Sequence, residues 1–289
     1  MKLNLILLSL AISLTSCAKS QLSNESSETT ESSKDTVITV YKFPTRIDET
    51  PLPDGYIRDS VETNSFGEYL RNLSLKPEGS PVLLYDGRES GSSSYAYSVI
   101  DMEIGTEDLQ QCADAVIRLR AEYLYHQKRY NEINFNFTNG FKCKYDTYAH
   151  GGRVNVRSGK YTNWYQAKQG TDYSYETFRE YLNLVFMYAG TASLSKELKS
   201  VTIDKIEIGD VFIQGGFPGH AMIVVDLAKN PTTGDVAILV AQSFMPARDI
   251  HVVSARRESP WFFVKDFMKE GYIYLQSWTF NFFDIKRFK

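Results

Sequence analysis

Apolar positions along the chain recur at two spacings, and the switch between them predicts the order of elements. Ser65-Phe-Gly-Glu-Tyr-Leu-Arg-Asn-Leu73 carries Tyr69, Leu70 and Leu73 on one helical face behind a Ser65 cap. The strongest helical pattern begins near Thr106 and runs to about Tyr130. There Leu109, Cys112, Val116, Leu119 and Tyr123 form one stripe, and Glu107 and Asp108 suit the positive end of the dipole. Tyr173 to Tyr188 predicts a second helix, broken by Ala189-Gly190-Thr191, and Ser193 opens a short third one through Val201. Strand patterning appears at Thr36 to Tyr41, Pro81 to Tyr85, Tyr95 to Ile100 and Ile133 to Phe137, with an extended proline-bearing loop from Pro44 to Tyr56. It dominates late, at Asp210 to Ile213, Ala221 to Val225, Val236 to Gln242, Ile250 to Val253 and Tyr272 to Phe280. Helices early and strands late predict an α+β fold with an antiparallel sheet.

The amino terminus has a different pattern. Lys2 is followed by a mostly apolar run from Leu3 to Leu14, too short for a permanent membrane span. It ends in Leu14-Thr15-Ser16-Cys17, which resembles the bacterial lipoprotein signal peptide. That resemblance implies a leader over 1–17 and a lipid on Cys17 that ties the protein to a membrane of the bacterial cell envelope. Ala18 follows the cysteine, so the resemblance implies the outer membrane. Residues 18–35 are Ser, Thr, Glu and Asn with almost nothing to bury, and read as a flexible tether. Residues 36–289 then form a single α+β domain.

Composition narrows the function classes. A hydrophobic fraction of 43% is ordinary for a globular chain, and a formal net charge of -3 excludes nucleic acid as an expected partner. There is no Cys-x-x-Cys or His-x-x-x-His, so no metal or other cofactor is expected. Setting Cys17 aside leaves Cys112 and Cys143. Each is open to three readings: half of a disulfide, a buried packing residue or a reactive thiol.

Chemistry concentrates in the stretch from Ile206 to Asp226. Gly215, Gly216 and Gly219 surround Pro218 in a bent connection between two strands, and His220 opens the second. If Ala228 and Val236 flank the next turn, His220 lies opposite residue 244, and Gln242, Phe244 and Pro246 share its face. Gln242 is then diagonal to His220 and positioned to orient its imidazole, and Cys112 is a thiol available as nucleophile. Arg153 in His150-Gly-Gly-Arg153 could grip a carboxylate bidentately. Tyr148 and Trp164, in the aromatic Tyr/Gly-rich segment that reads as a loop through Asn163, are the accompanying candidates for substrate contact.

These residues resemble the papain-like cysteine hydrolases of bacterial cell walls, the NlpC/P60 and CHAP type. The resemblance rests on Gln110-Gln111-Cys112-Ala113-Asp114, Gly209-Asp210-Val211-Phe212, Gly219-His220-Ala221-Met222-Ile223-Val224 and Gln242, and spans roughly Thr106 to Val253. It implies a papain-like core over about 106–253, in which Cys112 attacks a carbonyl, His220 shuttles the proton and Gln242 orients the ring. Counted from Thr106, Cys112 falls near the second helical turn, whereas the resemblance implies the first. Arg118 to Leu124 and Ala241 to Pro246 are also similar to an uncharacterised family of bacterial lipoproteins, domain of unknown function 4846. Two functions compete. One is a lipid-anchored hydrolase of amide bonds in peptidoglycan peptides or related envelope material; the other is a non-catalytic module binding glycan or peptide through Phe135 to Tyr165. A purely structural lipoprotein is a third.

Overall fold

Residues His220–Lys229 form a ten-residue strand in which every residue except Lys229 is buried. Such a run has both faces covered, and the alternation of its side chains feeds two cores. Val211, Ile213, Ala221, Ile223, Val225, Leu239 and Ala241 join Val116, Leu119, Phe178 and Tyr181 on one side of the sheet. Phe212, Met222, Val224, Ile238 and Val240 join Phe267, Ile273 and Phe280 on the other. Each such Val, Leu, Ile or Phe contributes about 1.5–3 kcal/mol on leaving water, so the layered packing dominates stability.

The computed structural model describes residues 43–255, 259–276 and 278–289. The leader with Cys17, the tether and the Thr36 to Tyr41 strand lie outside the described residues. Lys42–Lys289 cluster as one compact unit. Its principal sheet runs in the order Ala96–Val99, His251–Val253, Val236–Gln242, His220–Lys229, Val211–Gln214, Ile285–Arg287 and Lys199–Ser200. Two short strands, Ile57–Arg58 and Phe262–Phe263, pair alongside, and the assigned pairings are antiparallel. The class is therefore α+β with an antiparallel sheet, as the pattern predicts. No helix among the described residues is long and apolar enough to cross a membrane.

Several expectations change. The main helix is Cys112–His126 and does not begin at Thr106. Gln111 is extended, at φ -89° and ψ -158°, and its N–H donates to the Asp114 carboxylate at 3.1 Å. Upstream, the Asp108 carboxylate accepts from Ala247 N–H at 2.6 Å and from Gln111 Nε2 at 3.1 Å. Those bonds hold Asp108 and Gln111 against the loop after Gln242, so the helical pattern there yields to tertiary contacts. Pro81 to Tyr85 forms isolated bridges through Leu83 and Leu84, with no strand. The Tyr/Gly-rich segment is no loop: it folds as Lys142–Lys144, a Tyr145–Ala149 helix and a Gly152–Arg157/Tyr161–Gln166 hairpin. The closing strand is a hairpin of Ile273–Leu275 and Trp278–Phe280, followed by Ile285–Arg287, which returns to the principal sheet.

Candidate active site

The site is built where one strand ladder comes apart. Val236–Gln242 pairs with His220–Lys229 from Val236↔Lys229 to Leu239↔Asp226, shifts register, and ends at Val240↔Val224 and Ala241↔Ile223. Beyond that point Ser243 turns away: its hydroxyl donates to Gln110 O at 3.2 Å and to Arg248 O at 2.8 Å. The start of the Cys112 helix is thereby docked at the opened end of the ladder. Cys112 is the first residue of that helix, where backbone N–H groups lack intrahelical partners and the dipole is positive. This differs from the second-turn position counted from Thr106.

The half-buried thiol faces the backbone N–H of Ala221, the residue after His220. Burial and the neighbouring Asp114 carboxylate push the Cys112 thiol up to about 11. The N–H groups of Ala221, Ala113 and Cys112 pull the other way without winning. His220 is 1% exposed, and burial pulls its imidazole down to about 4 against the opposing bond to Gln242. At neutral pH the resting pair is therefore a thiol and a neutral imidazole. No hydrogen bond joins the sulfur to the ring; the sulfur's neighbour on the strand is the Ala221 N–H. The ring leans toward the core of Met222 and Phe280, and the helix packs on the other face.

Gln242 lies beside His220, with Oε1 2.7 Å from His220 Nε2. The other end of the same amide, Nε2, is 3.3 Å from His251 Nε2. Aromatic rings close around the histidine: Phe244 at 4.8 Å, Trp278 at 5.2 Å and Phe280 at 6.2 Å between centroids. Trp278 is itself fixed, its indole N–H donating to Gln214 Oε1 at 2.9 Å, and Gln214 is the register partner of His220. Two glycines of the turn, Gly215 and Gly219, have no room for a side chain. A Cβ on Gly219 would lie 2.5 Å from Thr191 Oγ1 and 2.6 Å from Gly216 O.

Among residues that could stabilise an oxyanion, Gln111 spends its amide nitrogen on Asp108. Gln110 is fully buried; its Oε1 accepts from Arg118 at 2.9 Å and its Nε2 has no partner. The helix-start N–H groups and the unpartnered Gln110 Nε2 are the remaining donors.

The structure does not bring Arg153, Tyr148 and Trp164 into hydrogen-bond or ring contact with this cluster. The Arg153 guanidinium stacks 3.8 Å over the Tyr148 ring, donates to Tyr148 O and Gly152 O, and lies 3.7 Å from Glu180. The Tyr148 hydroxyl donates to Glu180, and Trp164 packs on Phe141. Nη1 of the Arg153 guanidinium is spent on the Tyr148 and Gly152 carbonyls. Cys143 is a buried free thiol, so Cys112 and Cys143 form no disulfide. A concavity of about 920 Å³ lies elsewhere, lined by residues such as Val61, Phe66, Arg120, Ile206 and Phe288, and by none of Cys112, His220 or Gln242. The His220 cluster sits at a strand end, apart from that hollow. No group of acidic, histidine or cysteine side chains suited to a metal ion occurs among the described residues.

Sequence reasoning missed Trp278, Gln214, Ser243 and the engagement of His251. Gln242 and His251 are cross-strand partners in the register, and alternation along Ile250 to Val253 was the available signal. Searches of curated proteins and of solved structures gave no match. One family match covers residues 47–287, nearly the whole described unit. The chain belongs to the family described as domain of unknown function (4846).

Proposed function

We propose that this protein is a cysteine hydrolase of amide bonds with a papain-like core, carried on a lipid at Cys17 in the bacterial outer membrane and acting on peptidoglycan peptides or related envelope material. One observation carries the reading: Cys112 opens a helix with its sulfur against the N–H of Ala221, the residue that follows His220 in the strand, and His220 Nε2 is held by Gln242. Nδ1 of His220 then remains as the base. Because burial keeps both groups neutral, the attack is base-assisted. As Sγ bonds to the substrate carbonyl carbon, the thiol proton passes by way of one water to His220 Nδ1 and the carbonyl π electrons move to oxygen. Collapse of the tetrahedral species breaks the C–N bond, and the imidazolium returns its proton to the leaving amine. Water then attacks the thioester with the same base, freeing acid and thiol. The helix-start N–H groups are suited to the oxyanion.

The missing sulfur–imidazole hydrogen bond, the lean of the ring away from the helix side of the sheet and the raised thiol favour a second reading, a non-catalytic papain-like module that binds glycan or peptide. Alkylation with iodoacetamide separates the two. For the hydrolase, Cys112 in the folded protein reacts far faster than buried Cys143, and His220→Ala slows Cys112 by roughly a hundredfold, the lower end of what a general base supplies. Equal, slow alkylation of both thiols, unchanged in His220→Ala, overturns the hydrolase.

A further inference from the structure

The amide of Gln242 has an imidazole neighbour at each end, and the order of hydrogen bonds along them can be read from the far side. His251 is fully buried, and its Nδ1 lies 2.9 Å from the backbone carbonyl of Asp249. A carbonyl only accepts, so Nδ1 carries the proton. Burial pulls His251 down to about 4, with Arg248 and His220 adding to the effect, so at neutral pH the ring holds a single proton. Its Nε2 is then a lone pair, and it takes a proton donor from Gln242 Nε2 at 3.3 Å. With the NH2 end of the amide turned toward His251, Oε1 faces His220. An oxygen facing His220 Nε2 at 2.7 Å requires a proton on that nitrogen, which leaves the lone pair on Nδ1.

We infer that His251 is a positioning residue that sets the tautomer of His220 through the orientation of the Gln242 amide. Sequence order hides this relay, because Gln242 and His251 are nine residues apart yet lie opposite one another on adjacent strands. Reversing the amide would set Oε1 against the His251 lone pair and NH2 against His220 Nε2. His220 would then carry its proton on Nδ1 and have no lone pair there. Tyr95, at 6.0 Å between centroids, packs the outer side of the His251 ring. His251 touches neither thiol nor substrate; its effect passes through one amide.

The inference rests on the reading of His220 as the base, but its first test does not depend on catalysis. Nitrogen-15 spectra of histidine-labelled protein at pH 7 report which ring nitrogen of each imidazole is protonated. The expected result is Nε2–H on His220 and Nδ1–H on His251; Nδ1–H on His220 overturns the relay even if Cys112 is reactive. The second test is the alkylation rate of Cys112. His251→Phe, which removes the acceptor, is expected to slow it about tenfold, less than loss of the base itself. His251→Gln, whose carbonyl oxygen can accept from Gln242, is expected to restore most of it. A rate unchanged in His251→Phe, with the wild-type fold retained by circular dichroism, overturns the inference. Slow alkylation of the wild-type protein overturns the hydrolase reading alone, and the tautomer measurement still decides the relay.

Discussion

Burial holds His220 and His251 neutral down to about pH 4, whereas in the unfolded chain both rings protonate near 6.5. Between those values the unfolded state binds more protons, so their contribution to stability is complete above pH 6.5 and is lost as the pH falls toward 4. The loss amounts to roughly 3 kcal/mol per ring. Asp114 acts in the opposite sense, because burial raises its carboxyl well above the usual range. A comparison with variants removes that term. The stability gap between the wild-type protein and His251→Phe, from urea unfolding, is expected to narrow by a few kcal/mol between pH 7 and pH 4. A gap independent of pH would contradict a neutral buried ring.

At the scale of elements, single residues hold several segments in register. Asp226 is completely buried in the long strand and accepts from Arg58 Nε at 2.8 Å and Arg71 Nε at 2.6 Å. It thereby joins the Ser65-capped helix and the Ile57–Arg58 strand to the principal sheet. Asp226→Ala leaves both guanidinium groups without their carboxylate and is expected to destabilise by about 3–5 kcal/mol in urea titration. Gly219→Ala drives a methyl group into Thr191 Oγ1 and the Gly216 carbonyl, so it should displace the turn and slow Cys112 alkylation more than it lowers the melting temperature. Elements with strong local signals were readable: Ser65 caps its helix by accepting from Glu68 N–H, and Val236–Gln242 forms as its apolar run predicts. The start of the Cys112 helix was not, because Asp108, to which Gln111 donates, answers to Ala247, more than a hundred residues away. Nor was the aromatic segment, whose tyrosines pack as a ring cluster about Tyr145 and Phe178 and not as a loop.

For the molecule as a whole, two cores on the two faces of one sheet account for stability without a covalent cross-link. Denatured protein lacking Cys17 should titrate two free thiols, and a reducing agent should leave the melting temperature unchanged. The pairing of His220 with Gln242 came out of strand arithmetic because two offsets cancel: Val236 pairs with Lys229 and not Ala228, and the register shift after Leu239 moves the ladder back by one residue. The sulfur's approach to Ala221 was not legible, since it depends on how a helix docks onto a sheet, which no local period encodes. Ser243 holding Gln110 across 133 positions of sequence has a kinetic meaning. A nascent chain cut short before that serine carries its cysteine, yet nothing anchors the helix start beside the imidazole. That arrangement of helix start and strand end can therefore form only once synthesis has passed Ser243, late in the polypeptide.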